Sequence, residues 1–113
     1  MPPSPLSDPV LHILLALSDR PRHGYAIAAE IEKRTEGVVR LGTGTLYTAL
    51  KRMRSEGLIE ETDDPDDPDD ARGRRTYTLT RRGKSTLAEQ SQRLQALVEH
   101  AVAKKALPGF RPA

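Results

Sequence analysis

The chain has no cysteine, which excludes disulfides, thiolate metal ligands and a cysteine nucleophile, and with them thiol-based redox or metal sensing. Aromatic residues are nearly as scarce, at 4%, so a core has to come from aliphatic side chains concentrated in a few stretches. Long hydrophobic runs are missing too. The longest uninterrupted one, residues 13–17, is far too short to cross a bilayer. The opening Met-Pro-Pro-Ser-Pro lacks the charged-then-apolar layout of a signal peptide, and the expectation is a cytoplasmic protein without membrane contact. His12, His23 and His100 are scattered, with no carboxylate pair or nucleophile placed near them. That speaks against an enzyme, and no cofactor or metal is expected.

What is present is charge, 30% of the chain, with a formal net charge of +2. Six aspartates fall within residues 63–70, and setting them aside leaves the remainder at +8. The mild average hides a basic body with one acidic insert. A basic body favours a polyanionic partner, of which nucleic acid is the commonest. At 113 residues the chain fits one domain with a modest core, a size that often gains stability by pairing with a copy of itself.

Along the chain, residues 1–7 carry three prolines and have nothing with which to build regular structure. Asp8-Pro9 is suited to start a helix, and Val10-Leu11-His12-Ile13-Leu14-Leu15-Ala16-Leu17 is apolar nearly all round, as in a helix buried on more than one side. Residues 18–23 read as a turn. Tyr25, Ile27, Ala28 and Ile31 then form a helical stripe opposed by Glu30, Lys33 and Arg34, closed by Gly37. Val38-Val39-Arg40-Leu41 reads as a short β segment. Gly42-Thr43-Gly44-Thr45 opens a third helix with a threonine available as cap, and Leu46, Leu50 and Met53 mark its inner face. Residues 58–62 and 74–79 alternate like strands around an Asp/Pro/Gly-rich connection, which is a hairpin with a long tip. Thr80 can cap a last helix running to about Leu107, roughly 40 Å long at 1.5 Å per residue, before Pro108-Gly109.

This order predicts a mainly α fold with a small β-hairpin: a winged helix-turn-helix over residues 8–79, with its wing at 58–79 and acidic tip at 63–70, then a long C-terminal helix at 80–107 and a flexible tail at 108–113. Placing Leu46, Leu50 and Met53 in the core turns Gly44, Thr48, Lys51, Arg52 and Ser55 outward, with Tyr47 and Arg54 at the flanks. Such side chains can reach base edges or phosphates of double-stranded DNA, although charged and hydroxyl residues are also common on any solvated helix face. The free amides and hydroxyls of residues 42–45, Thr43 and Thr45 among them, suit a phosphate; a plain helix cap would look the same. In the wing, Arg72, Arg74 and Arg75 beside Gly73 suit phosphate contact or the minor groove, or else pair with the neighbouring aspartates.

In the last helix Leu87, Leu94 and Ala101 recur at seven, widened by Leu97, Val98 and Val102. One small domain cannot bury so long a stripe, so a homodimer is expected, completed by Leu11, Leu14 and Leu15 of the all-round apolar first helix. Packing of the stripe back across its own domain is the competing arrangement.

Four short stretches in order resemble the PadR family of winged-helix regulators over residues 11–103. They are Leu11-His12-Ile13-Leu14-Leu15-Ala16-Leu17; His23-Gly24-Tyr25-Ala26-Ile27; Gly44-Thr45-Leu46-Tyr47-Thr48-Ala49-Leu50-Lys51-Arg52-Met53 with Glu56-Gly57-Leu58-Ile59; and Arg75-Thr76-Tyr77-Thr78-Leu79-Thr80-Arg81-Arg82-Gly83. The resemblance implies a dimer whose C-terminal helix packs on the partner, including its first helix, with Tyr25, Thr45, Tyr47 and Lys51 near the DNA backbone and groove. It also implies repression of a nearby operon, released by a small molecule or other signal. Two features depart from the family. The wing tip is longer and more acidic than the usual short turn, and the absence of tryptophan removes the stacking that some members use to hold flat drugs between subunits.

A winged helix that binds another protein through its acidic wing is the alternative reading, and a nuclease using an Asp-held metal is a more distant one. A proline-spaced acidic loop does not hold a metal to catalytic precision. The aspartates of residues 63–70 are a solvated loop, a weak Ca²⁺ or Mg²⁺ site, or a phosphate mimic covering the basic surface. If they are a mimic, replacing them with serine raises affinity for nonspecific DNA in an anisotropy titration; unchanged binding at low salt rejects the mimic.

Overall fold

The computed structural model describes residues 7–62 and 75–107. The order is α1 (Asp8–Ala16), β1 (Arg22–His23), α2 (Gly24–Arg34), α3 (Thr43–Ser55), β2 (Ile59–Thr62), β3 (Thr76–Leu79) and α4 (Arg81–Ala103). It is a mainly helical winged helix with a long terminal helix, as expected. The acidic tip, Arg72, Arg74 and the segment containing Pro108-Gly109 lie outside the described residues.

Ser7, not Asp8, occupies the N-cap position of α1, and its side chain makes no capping hydrogen bond. Asp8 sits in the first turn, where its carboxylate meets the positive end of the helix dipole. Ile13, Leu14 and Ala16 of α1 with Leu17 just past its end, Ile27 and Ile31 of α2, and Leu46, Leu50 and Met53 of α3 form one buried cluster with Leu58, Ile59, Tyr77 and Leu79 of the wing. The three helices converge on this cluster, so the opposite face of α3 is left to solvent.

The sheet has three antiparallel strands in the order β1-β3-β2, with Arg22 opposite Tyr77 and Ile59 opposite Leu79. Its third strand corrects the sequence reading. Residues 38–41, expected as a short β segment, form no strand. There the Thr35 hydroxyl takes the place of a strand partner: it accepts from the Val39 amide at 3.1 Å and donates to the Ile31 carbonyl at 2.9 Å. Val39 and Leu41 pack on the core while Val38 points outward. Residues 22–23, expected within a turn, pair with β3 instead. Arg22 is held there by its Nε donating to the Ala16 carbonyl at 2.8 Å, which ties the strand to the end of α1.

No threonine side chain caps α3; the helix begins at Thr43 behind Gly42. α3 ends as Gly57 takes a φ of +76°, and the chain turns into the wing. Thr80 caps α4 as expected, accepting from the Gly83 amide at 3.0 Å, and its hydroxyl also donates to the Gly57 carbonyl at 2.6 Å. One residue thus joins the end of α3, the wing and the start of α4. Gly83 is buried directly against the Leu58 carbonyl, where a Cβ would collide. α4 stops at Ala103, earlier than predicted, because Lys105 adopts a φ of +58° and the Ala106 amide turns back to the Ala101 carbonyl at 2.8 Å.

α4 packs on β3 and on α1 of its own chain, and Leu87 rests half-buried against the core. Past that contact, Leu94 and Leu97 are exposed, while Val98, Ala101 and Val102 are half-buried. On α1, Leu15 is 44% exposed and Leu11 half-buried, but Leu14 is fully buried in its own core. Leu14 is therefore a correction to the expected dimer surface. Apolar residues all round α1 carry no periodic signal to say which face turns inward.

Candidate nucleic-acid interface

The burial of Leu46, Leu50 and Met53 fixes the rotation of α3, and at 100° per residue Gly44, Thr48, Lys51 and Ser55 then run along its exposed centre. The expected single face has two shoulders. Thr45, Thr48 and Arg52 border a groove shared with Ser7, Pro9 and Val10 at the start of α1. Tyr47, Lys51 and Arg54 border another, of about 480 Å³, shared with Tyr77 of the wing. Tyr25, Thr43, Tyr47 and Arg75 come together on the wall of a third cavity of about 400 Å³, beside His23 and Gly24. Tyr25 is 74% exposed and Tyr47 47% exposed, so both reach solvent at this surface.

The cations are not all equally available. Arg52 pairs with Glu56 on its own helix at 2.9 Å, an exposed contact of a kind worth about 0–1 kcal/mol and readily exchanged for a phosphate. Glu61 of β2, which sequence reasoning did not single out, has a larger part. One of its carboxylate oxygens takes Arg54 of α3 at 2.7 Å and the other faces Arg75 at the foot of β3 at 3.8 Å. This carboxylate clasps α3 to the wing and partly neutralises two guanidinium groups. It was not legible in sequence because Glu61 and Arg54 lie seven residues apart on different elements. Glu61 also acts on Tyr77: burial first, then the Glu61 charge, push that phenol above the ordinary tyrosine range.

At the foot of the wing, His23 Nδ1 lies 3.3 Å from both the Arg75 carbonyl and the Thr76 hydroxyl, which holds β1 to the returning strand. Among the described residues no group of three His, Asp or Glu is placed to hold a metal ion. None of the described helices is long and apolar enough to cross a membrane.

The family model for the transcriptional regulator PadR-like family matches residues 13–89, from α1 into α4. The chain belongs to the PadR-like family. A transcriptional regulator of Mycobacterium tuberculosis is 32% identical over 87 residues, covering 77% of this chain and 76% of that protein. An uncharacterised 37.1 kDa protein from transposon TN4556 of Streptomyces fradiae is 35% identical over 92 residues; the match covers 80% of this chain but only 24% of that much longer protein. Among solved structures, a PadR family transcription regulator from Clostridium difficile R20291 superposes with a TM-score of 0.70 at 28% identity, covering 86% of this chain and 97% of the other. By its family, this PadR-like chain is a DNA-binding transcriptional regulator.

In this PadR-like regulator, Glu61→Gln is expected to release Arg54 for phosphate and to remove the negative charge facing Arg75. Affinity for mixed-sequence duplex DNA at low salt should rise, and the slope of log affinity against log salt should steepen by about one to two units. Anisotropy titrations between low and moderate salt read both; an unchanged slope means that the two arginines stay clear of the DNA.

Proposed function

We propose that the chain is a cytoplasmic repressor that binds an inverted-repeat operator as a homodimer and is released by an effector. The observation that carries this reading is the rotation of α3: its apolar face is wholly committed to the core, so Thr48 and Lys51 lead an outer face that is exposed among the described residues, between two grooves. α3 enters the major groove, with Thr45, Thr48, Lys51 and Arg52 reaching bases or nearby phosphates. Tyr25, Thr43 and Tyr47 meet the backbone beside the start of α3, and Arg75, with Arg72 and Arg74 beyond the described residues, serves the wing.

The dimer is formed by α4 with the partner's α1. Support comes from Leu15, Leu94 and Leu97, which stand exposed on these two helices in a single chain, next to half-buried Leu11, Val98, Ala101 and Val102. Two recognition helices then fall about one helical turn, some 34 Å, apart. Sequences selected by the chain from random duplex DNA should yield a palindrome with that half-site spacing.

Lys51→Ala should weaken binding to the selected duplex and reduce the salt slope by about one unit; equal affinity at all salts removes Lys51 from the interface. Leu94→Glu should give a monomer by light scattering with poor operator affinity. A dimer that survives this change puts the seam elsewhere.

A further inference from the structure

Tyr47 stands between two cavities. Its ring borders the 400 Å³ space on the α2 side, with His23, Gly24 and Arg75, and also the 480 Å³ space on the wing side, with Arg54 and Tyr77. On the α2 side the ring lies directly on Gly24, the buried first residue of α2. A Cβ at Gly24 would stand 2.7 Å from the Tyr47 hydroxyl oxygen, 3.0 Å from Cζ and 3.2 Å from Cε1. Carbon atoms do not approach a ring and its oxygen so closely without something moving. By contrast, a Cβ at Gly42 or Gly44 would meet nothing within 4 Å.

Backbone conformation does not account for this glycine. Among the described residues the glycines with positive φ are Gly37 and Gly57, not Gly24. In a helix, glycine is locally unfavourable relative to alanine because it loses more conformational freedom on folding. What glycine supplies at position 24 is room, and Tyr47 uses it.

We propose that Gly24 is a positioning residue for DNA binding: its missing side chain is the seat of Tyr47, and the seated ring sets the placement of α3 against α2 and the wing. The inference rests on the reading that α3 enters the groove. An alanine at position 24 drives the phenol either toward Tyr77 or outward into the space the DNA backbone would fill. Swung outward, the ring stands in the path of the DNA backbone; pressed toward Tyr77, it shifts α3 against the wing, and Thr48 and Lys51 meet the groove at an altered angle. Charge is untouched, so the effect falls on fit and not on phosphate attraction.

The test is a double-variant cycle on the full chain, with Gly24→Ala, Tyr47→Leu and the pair titrated by anisotropy against the selected duplex and a mixed-sequence duplex. Gly24→Ala should weaken binding to the selected duplex about tenfold, weaken mixed-sequence binding much less, and leave the salt slope and the helical circular dichroism unchanged. In the Tyr47→Leu background the same alanine should have no further effect, because the atoms it strikes are gone. If Gly24→Ala alone fails to fold, the seat predicts that the pair folds; a pair that also fails to fold overturns it. Wild-type affinity in Gly24→Ala, or an equal loss in both backgrounds, overturns the inference while leaving DNA binding intact. A wild-type chain that binds neither duplex overturns the DNA-binding reading, and this inference falls with it.

Discussion

The outer face of α3 follows from how three side chains, Leu46, Leu50 and Met53, are buried among α1 and α2. Burying a side chain of this size is worth about 1.5–3 kcal/mol. The exposed ion pairs on the same helix contribute about 0–1 kcal/mol each. The apolar seam therefore decides the rotation of α3, and the charged residues take whatever direction remains. That leaves Thr48 and Lys51 at the centre and divides the other polar side chains between two shoulders.

The wing is attached to this helix by polar contacts. Thr80 bridges the end of α3 and the start of α4 through Gly57 and Gly83, and Glu61 reaches Arg54 on α3 and Arg75 on β3. His23 and Arg22 bring the β1 edge to the same strand. These contacts need correct geometry more than large energies, since each is directional and lies at the rim of the core. A carboxylate in the middle of a basic face lowers attraction to any DNA, and in return it holds the helix and wing at one relative angle.

At the other end of the molecule, α1 serves two sides. Ile13, Leu14 and Leu17 close the core, leaving Leu15 exposed on a helix that also packs against α4. Of the α4 stripe, Leu87 packs on its own domain, while Leu94 and Leu97 stay exposed in the single chain.

Sequence periodicity by itself determined the helix order, the inner face of α3, the Thr80 cap and the long terminal helix, because each depends on residues within a turn or two of one another. It also held the four stretches that mark the PadR-like family. Only tertiary structure decided the rest. The two-residue strand at Arg22 has no pattern of its own and exists because β3 offers an edge. Val38 and Val39 have β propensity but no strand beside them among the described residues, and Thr35 takes up the Val39 amide instead. The inward rotation of Leu14, the Glu61 clasp and the seat of Tyr47 on Gly24 each depend on which element lies alongside, and local spacing does not encode that.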